Sequence, residues 1–296
     1  MTSASLDDLR RLGVEQGWTF LAECPLCGST AIAPLGLARD SFGICRCPEC
    51  TIVFLNPRRG STWPRYRESS MPHGFFARQI EFGLLSSEFE PDVRRITARY
   101  ARIVTLVDQA PTGTVVEVGC GLGLLAFALR ARSREVRGIE LSEAHADAAR
   151  RVFGLDVTVW DLFSAPPLAD RSSVVVLNSV LDHQEAPVEF LRLVREKILR
   201  PDGEVVVASP NLRSTEFLLS GLDWPLFTID RLWYFTDDSL AEVARRAGYR
   251  IAGSHWPTRR SVDDAAGLTG IYVHELLGLD VNVSGGIGLR LAPTGE

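Results

Sequence analysis

The feature that most constrains the fold is a glycine-rich turn between an apolar strand-like run and a helix-like run. Residues 114–130 pass from a β-branched segment, through three glycines at alternate positions, to a segment with the composition of a packed helix. The glycines are Gly119, Gly121 and Gly123. A short β-branched run predicts a strand buried on both faces of a parallel sheet. Because glycine permits positive φ and leaves the backbone bare, and because a helix N-terminus has free N–H groups, the stretch predicts a cofactor-binding turn.

An acid before the glycines bears on the choice of ligand. A dinucleotide turn has a third glycine three residues after the second, inside the helix. Here that position is Leu124, and Glu117 lies two residues before the first glycine. A carboxylate at this place repels a pyrophosphate and attracts a cation. The pattern therefore disfavours a dinucleotide, and a glycine-rich loop without a ligand is the plainer alternative.

Strands and helices alternate after residue 111, which is the pattern of a parallel α/β sheet. Further strands are predicted at 136–140, 157–160, 173–178 and 204–209, and helices at 143–152 and 188–199. Glu140 closes the second strand 19 residues after Gly121. An acid at about this place holds a ribose in such folds. The apolar alternation of Ile287–Leu291 predicts a final hairpin strand at the edge of the sheet.

Five of the six cysteines lie between positions 24 and 50, and four of them have the spacing C-x2-C-x19-C-x2-C. This spacing is typical of zinc ribbons, in which two tight turns each supply two thiolates to one metal. The N-terminus does not have the composition of a secretory leader, which favours metal ligation over disulfides. We predict a structural Zn²⁺ held by Cys24, Cys27, Cys47 and Cys50. Cys45 is interpreted as a buried or free thiol.

Composition limits the partners. The chain has 296 residues, 46% of them hydrophobic, and a net charge of −5. No apolar run approaches the roughly 20 residues needed to span a bilayer. We therefore expect a cytoplasmic protein without a membrane partner. The negative charge argues against a nucleic-acid partner, and an arginine-rich patch is expected to be a solvated surface. That patch comprises Arg58, Arg59, Arg65 and Arg67.

The chain is predicted to have four parts. An N-terminal helix with Ser5 as its N-cap lies within residues 1–20, and the zinc ribbon occupies residues 21–60. A helical linker or lid follows over residues 61–110, and the cofactor-binding domain extends over residues 111–296.

Together these motifs resemble those of the class I S-adenosylmethionine-dependent methyltransferases, preceded by a four-cysteine zinc ribbon. The resemblance covers about residues 22–257. It is carried by residues 117–123, 138–142, 161–162, 178–183, 199–203, 234–236 and 247–249. It implies a Rossmann-like sheet with helices on both faces, S-adenosyl-L-methionine as the cofactor, and methyltransferase activity. The cofactor site that it implies consists of Glu117, Gly119, Cys120, Gly121, Gly123, Glu140, Leu141, Asp161, Leu162 and Asn178.

The resemblance also implies individual roles. Glu117, Gly119 and Gly121 face the methionine end of the cofactor, and Glu140 takes the ribose hydroxyls. Asp161 meets the adenine, and Asn178 lies beneath the sulfonium. The plainer interpretations are a helix cap for Asp161 and a surface acid for Glu140.

The expected acceptor is a small molecule, with a hydroxyl of a natural product or saccharide favoured. His183 lies five residues past Asn178, beyond the predicted fourth strand. An ordinary histidine pKa of about 6.5 suits a general base near neutral pH. The plainer interpretation is that His183 bonds to nearby backbone groups. Zinc-ribbon deoxysugar C-methyltransferases carry a Glu-His pair where this chain has Asp230-Arg231, and arginine cannot act as a base at neutral pH.

Three other functions stay open at the level of sequence. They are an RNA base methyltransferase whose ribbon contacts nucleic acid, a deoxysugar C-methyltransferase, and a cofactor-binding protein without catalysis. Aromatic side chains in the predicted acceptor loops could face a flat or glycosylated acceptor, or could belong to the core. They are Trp63, Phe75, Phe76, Trp224, Phe227, Trp233 and Tyr272, together with His274.

Overall fold

The structure, a computed structural model, describes residues 4–39, 41–60, 73–132, 134–254 and 286–295. The helices are α1 (Leu6–Gln16), α2 (His73–Glu81), α3 (Val93–Arg99), α4 (Ala101–Asp108), α5 (Leu124–Arg130), α6 (Glu143–Phe153), α7 (Pro187–Lys197), α8 (Thr215–Ser220) and α9 (Asp237–Arg246). The strands are β1 (Ala33–Ala38), β2 (Phe42–Arg46), β3 (Val53–Leu55), β4 (Val115–Val118), β5 (Val136–Glu140), β6 (Asp156–Val159), β7 (Ser172–Asn178), β8 (Leu199–Pro210), β9 (Trp233–Tyr234), β10 (Tyr249–Ser254) and β11 (Gly286–Pro293). Short 3-10 turns lie at Leu181–His183 and Gly221–Asp223.

The larger sheet has seven strands in the order β10-β11-β8-β7-β4-β5-β6. The five strands from β8 to β6 are parallel, whereas β11 runs antiparallel to both of its neighbours. Val115 and Val176 pack into a core with α5 and α6, whereas Val116 and Leu177 pack into a second core with α7 and α9. The uninterrupted apolar runs follow from this burial on both faces. The predicted α/β class, a Rossmann-like sheet with helices on both faces, is confirmed.

The position of the last strand differs from the prediction. Ile287–Leu291 was expected at the edge, but β11 lies between β8 and β10, and the edge strand is β10. Strand β8 pairs with β7 along one edge and with β11 along the other, where Leu289 pairs with Val207. Both β11 leucines, Leu289 and Leu291, are buried. Alternating hydrophobicity predicts a strand but not its neighbours, which is why the sequence did not reveal this insertion.

Two predicted boundaries also shift. The helix expected to reach Leu199 ends at Lys197, and the strand expected from Glu204 begins at Leu199, because Leu199 already pairs with Ser172 of β7. The predicted N-terminal helix is confirmed, with a capping box between Ser5 and the residue three positions later. Within the described part of the chain, no helix has the length and apolar character needed to cross a membrane.

The smaller sheet has the order β1-β2-β3-β9 and carries the cysteine-rich segment. Its fourth strand comes from a distant part of the chain, since β9 pairs antiparallel with β3. The paired positions are Val53 with Tyr234 and Phe54 with Trp233. A segment of the predicted cofactor domain therefore completes the sheet of the predicted ribbon. The four-part division stays a prediction.

Gly138 in β5 tests how closely the glycine turn packs on its neighbouring strand. A Cβ at this position would lie 2.7 Å from Sγ of Cys120 and 3.0 Å from Cγ2 of Val157. We expect Gly138→Ala to lower the free energy of unfolding by about 1–3 kcal/mol because of overpacking. Urea denaturation measures this. Adding Cys120→Ala should restore part of the loss, since it removes the sulfur. Unchanged stability in Gly138→Ala would contradict the packing described.

Candidate active site and metal centre

The glycine turn after β4 borders open space at one glycine. Gly119, Gly121 and Gly123 all have positive φ, at 69°, 54° and 82°. A Cβ on Gly119 would meet Val180 and one on Gly123 would meet Leu155, whereas a Cβ on Gly121 would meet nothing within 4 Å. Packing therefore demands the outer glycines, and the middle one lines an accessible cradle. Such a cradle fits a ligand that approaches the backbone closely.

Glu140 connects this turn to the next helix. Its Oε2 accepts the N–H of Gly121 at 2.7 Å, and its Oε1 accepts the N–H groups of Leu141 at 2.7 Å and Ser142 at 2.9 Å. The side chain is buried. The interpretation of Glu140 as a surface acid is therefore wrong. Hydrogen bonds from three N–H groups replace water around this buried side chain, and the role of Glu140 in ribose binding stays a prediction.

Glu117 lies beneath the same turn and is buried. Burial raises its pKa to about 8, and the negative charge of Glu140 adds to this effect, although the backbone N–H of Ala126 opposes it. Its Oε2 has no hydrogen-bond partner among the described residues. A buried polar atom of this kind is costly unless a further group satisfies it. The arrangement fits a ligand or cation that donates to, or ionises, this carboxyl group.

The loop after β6 is held from two sides. Oδ1 of Asp161 accepts the N–H of Phe163 at 3.0 Å, and its Oδ2 accepts the hydroxyl of Ser164 at 3.0 Å, so Asp161 caps the turn. Lys197, the only lysine of the chain, donates from Nζ to the carbonyls of Leu162 at 2.8 Å and Ala165 at 2.7 Å. The cap geometry is present, and the predicted contact of Asp161 with adenine stays a prediction.

The predicted residues that follow β4, β5, β6 and β7 come together because these strands are adjacent and parallel, so their carboxyl ends share one edge. Asn178 ends β7 at this edge and is half-buried. Ser179, which follows it, has a φ of 51°. A non-glycine residue in this region is strained and marks many functional sites. The turn then leads into the segment that carries His183.

His183 is held by a main-chain carbonyl from a residue far away in the sequence. Its Nδ1 lies 2.7 Å from the carbonyl oxygen of Asp230, and its Nε2 lies 3.7 Å from Oδ2 of Asp182. Because a carbonyl only accepts, the neutral ring donates from Nδ1 and keeps the Nε2 lone pair. Burial lowers the pKa of His183, although the hydrogen bond to Asp230 opposes this. The side chain keeps 27% exposure, so the ring is accessible as a proton acceptor.

Sequence reasoning missed two buried polar features, of which the first lies next to His183. Asp182 is fully buried and forms an ion pair with Arg231, which is also buried. Asn211, just beyond β8, is fully buried too, and its Nδ2 has no partner among the described residues. Asp182 and Arg231 are far apart in sequence, so no local pattern announces their pairing.

The expectation of a solvated arginine patch is wrong for Arg58. This side chain is only 8% exposed, and its guanidinium lies 4.4 Å from the ring centroid of Trp233. Burial lowers its pKa to about 10. Arg65 and Arg67 lie outside the described residues. Arg58 is instead part of the contact between the smaller sheet and the rest of the chain.

Some of the predicted acceptor-loop aromatics belong to the core. Trp224, Phe227 and Trp233 are each at most 1% exposed, whereas Phe76 is half-buried and packs edge-on against Phe89. Trp63, Tyr272, His274 and the side chain of Phe75 lie outside the described residues.

The four predicted metal ligands converge on one point. The Sγ atoms of Cys24, Cys27, Cys47 and Cys50 all lie within 4.8 Å of one another. The pairs Cys24–Cys50 and Cys27–Cys47 are each 3.5 Å apart. Tetrahedral Zn²⁺ with Zn–S bonds of about 2.3 Å places its thiolates about 3.8 Å apart. The donor set therefore fits Zn²⁺. Cys45 is buried outside this group, and its sulfur accepts a hydrogen bond from Asn56 at 3.5 Å.

The strand order, the glycine turn and the acid at the end of β5 define the fold of the class I methyltransferases. Residues 90–252 match a family described as a methyltransferase domain. The match covers more than half of the chain, which therefore belongs to this methyltransferase family.

Curated relatives and solved structures agree with this assignment. The chain is 28% identical over 147 residues to a ubiquinone biosynthesis O-methyltransferase of Marinobacter nauticus, covering 46% of this chain and 59% of that protein. It is 27% identical over 181 residues to the protein of the same name from Bordetella avium, covering 56% and 74%. The magnesium protoporphyrin IX methyltransferase of Synechocystis PCC 6803 with bound SAH has a TM-score of 0.51 at 16% identity, covering 78% of this chain and 99% of that one. That structure shares the fold.

The metal centre predicts a difference between two cysteine variants. We expect purified protein to contain about one zinc per chain, because structural zinc contributes directly to folding. Cys27→Ser should lose the metal and become sensitive to protease. Cys45→Ser should keep it, because Cys45 lies outside the four-thiol group. Metal analysis by mass spectrometry measures both. Folded wild-type protein without zinc would contradict the assignment.

Proposed function

We propose that this protein is an S-adenosylmethionine-dependent methyltransferase that methylates a hydroxyl of a small molecule, either a natural product or a saccharide. The observation that carries the proposal is the open cradle at Gly121 beside the buried carboxylate of Glu140. It lies at the carboxyl edge of parallel strands, where open α/β sheets bind their ligands.

The residues at this edge suit S-adenosylmethionine better than a dinucleotide. Glu117 and Glu140 are two buried acids near the turn, and acids oppose a pyrophosphate but match the ammonium and hydroxyl groups of the cofactor. Gly121 would lie against the cofactor, with Glu140 at the ribose, Asp161 at the adenine and Asn178 below the sulfonium. The cofactor supplies an activated methyl group when bound. A positive charge next to Glu117 would favour its ionised form, because burial is the main cause of its raised pKa.

The chain contributes alignment and a proton acceptor. Methyl transfer depends largely on holding the acceptor lone pair in line with the methyl group. The Nε2 atom of His183 can take the proton of an attacking hydroxyl, because Nδ1 is already committed to the carbonyl of Asp230. The named activity of the curated relatives is O-methylation, which supports an oxygen acceptor.

The competing RNA hypothesis is weakened at one of its four arginines. It rested on the arginine patch, of which Arg58 is buried against Trp233. The net charge of −5 also opposes broad contact with phosphates. A strong affinity for RNA that falls steeply with salt would favour this hypothesis over the proposed one.

Cofactor binding is tested at Gly121. We expect calorimetry to detect S-adenosylmethionine and S-adenosylhomocysteine but not NAD, and Gly121→Val to abolish the binding because the new side chain would occupy the cradle. Gly154→Val is a matched control. Gly154 has a φ of 59°, close to the 54° of Gly121, and a Cβ on either residue meets nothing within 4 Å. Both variants carry similar backbone strain, so only a loss specific to Gly121→Val supports the proposal. Tighter binding of NAD than of S-adenosylmethionine would refute it.

Catalysis is tested at His183. The acceptor is first identified by supplying labelled cofactor to small-molecule extracts of the source organism. We then expect His183→Ala to keep cofactor affinity within a few fold while lowering kcat by about 10²–10⁴. In wild type, activity should fall as the pH drops through the pKa of His183, because the protonated ring has no lone pair. Burial places this fall below the ordinary value of about 6.5. Near-normal turnover in His183→Ala would leave alignment alone as the mechanism.

A further inference from the structure

The tautomer of His183 is set by a carbonyl from a distant part of the sequence. The hydrogen bond of 2.7 Å to Asp230 places the proton on Nδ1 of the neutral ring. An imidazole free in water prefers the proton on Nε2, which would leave no lone pair on that nitrogen to accept a proton. Whether His183 can accept a proton therefore depends on what fixes the carbonyl of Asp230.

A buried ion pair next to His183 holds the main chain at residues 230–232. Arg231, the residue after Asp230, pairs with Asp182, and the N–H of Leu232 donates to the carbonyl of Asp182 at 2.9 Å. The carboxylate of Asp182 lies 3.7 Å from Nε2 of His183. An unneutralised carboxylate there would favour a protonated ring. Because Arg231 neutralises it, the Nε2 lone pair stays available.

Arg58 holds the same segment from the zinc ribbon. Its Nη2 donates to the carbonyl of Leu232 at 3.2 Å, and the N–H of Leu55 in β3 donates to that carbonyl at 3.0 Å. The guanidinium stacks on Trp233, whose indole N–H donates at 2.6 Å to the carbonyl of Gln184. Gln184 directly follows His183, so Trp233 connects Arg58 to the main chain next to the histidine.

The metal ligands precede this contact by a few residues. Cys50 lies three residues before Val53, where β3 begins, and the N–H of Cys47 donates to the carbonyl of Ile52 at 2.9 Å. Strand β3 then pairs with β9. The four thiols therefore adjoin the turn that leads into β3, and Arg58 follows this strand by three residues.

We propose that the zinc ribbon positions the catalytic base: Arg58 and β3 hold the main chain at 230–232, which fixes His183 as the Nδ1–H tautomer. Arg58 and Arg231 are positioning residues, since neither acts on the acceptor directly. The inference rests on the proposed function in one respect, that His183 is the base. The ribbon then serves the active site as well as folding.

The test is the ¹⁵N spectrum of the imidazole in uniformly labelled, zinc-loaded protein. It is recorded at about pH 8, above the ordinary histidine pKa, and His183→Ala assigns the signal. We expect the Nδ1–H form to dominate about tenfold, as one hydrogen bond of ordinary net strength can provide. In Arg58→Met the preference should fall to that of free imidazole, with the proton mainly on Nε2. Protein stripped of zinc by a chelator should show the same change.

Arg130→Met is the matched control. Arg130 also donates to main-chain carbonyls, at 2.6 Å to Gly154, and lies 5.6 Å from the ring of Phe127, but it joins α5 to α6. The Arg130→Met variant should leave the tautomer of His183 unchanged. Calorimetry with S-adenosylhomocysteine tests whether the cofactor domain is still folded in Arg58→Met. If that variant unfolds, Arg58→Lys is measured instead, because lysine cannot both stack on Trp233 and donate to the carbonyls of Leu55 and Leu232, as Arg58 does. An intermediate tautomer ratio supports the proposal, and the wild-type ratio overturns it.

The two proposals fail in different ways. A dominant Nδ1–H form that persists in both Arg58→Met and zinc-free protein overturns the positioning role, whatever the reaction is. Normal turnover in His183→Ala overturns the role of His183 as a base, even if the ribbon sets its tautomer. Once the acceptor is known, Arg58→Met should lower kcat about tenfold and leave the KM for S-adenosylmethionine unchanged.

Discussion

The buried carboxylate of Glu140 is the constraint around which the edge of the larger sheet is built. A carboxylate taken out of water is costly unless hydrogen bonds replace the lost solvent. Here the replacements come from two separate elements, the turn after β4 and the start of α6. To aim the N–H of Gly121 at Glu140, the turn passes through three residues with positive φ. The open space beside Gly121 is therefore a consequence of satisfying a buried charge.

The neighbouring loop, which follows β6, is also held by a charged side chain that bonds to the main chain, but here the charge is positive. Among the described residues Lys197 forms no ion pair with an acid; its ammonium donates to the carbonyls of Leu162 and Ala165. It connects the C-terminal end of α7 to the loop that carries Asp161. Two successive loops at this edge of the sheet are thus fixed by side chains. In one, an acid accepts from N–H groups, and in the other, a lysine donates to carbonyls. Both loops are held in place within the protein itself, which reduces the ordering that binding would have to impose.

The sequence predicted those features that depend on residues close together in the chain. The glycine turn, the two C-x2-C pairs and the cap at Ser5 are local, and the structure shows each of them. Long-range pairings could not be predicted in the same way. Arg58 reads as a surface residue because its neighbours are polar, and only the fold brings Trp233 over it. The ion pair of Asp182 with Arg231 is hidden for the same reason.

The place of β11 in the sheet has a consequence for the order of events during synthesis. Residues 286–293 pair with β8 on one side and with β10 on the other. Strand β10 is made earlier but has no partner in the described sheet other than β11. A nascent chain that has emerged only as far as residue 254 therefore holds an unpaired strand and an open edge on β8. Such edges invite pairing with other chains. The sheet can close only when β11, the last of its described strands to be synthesised, inserts between β8 and β10.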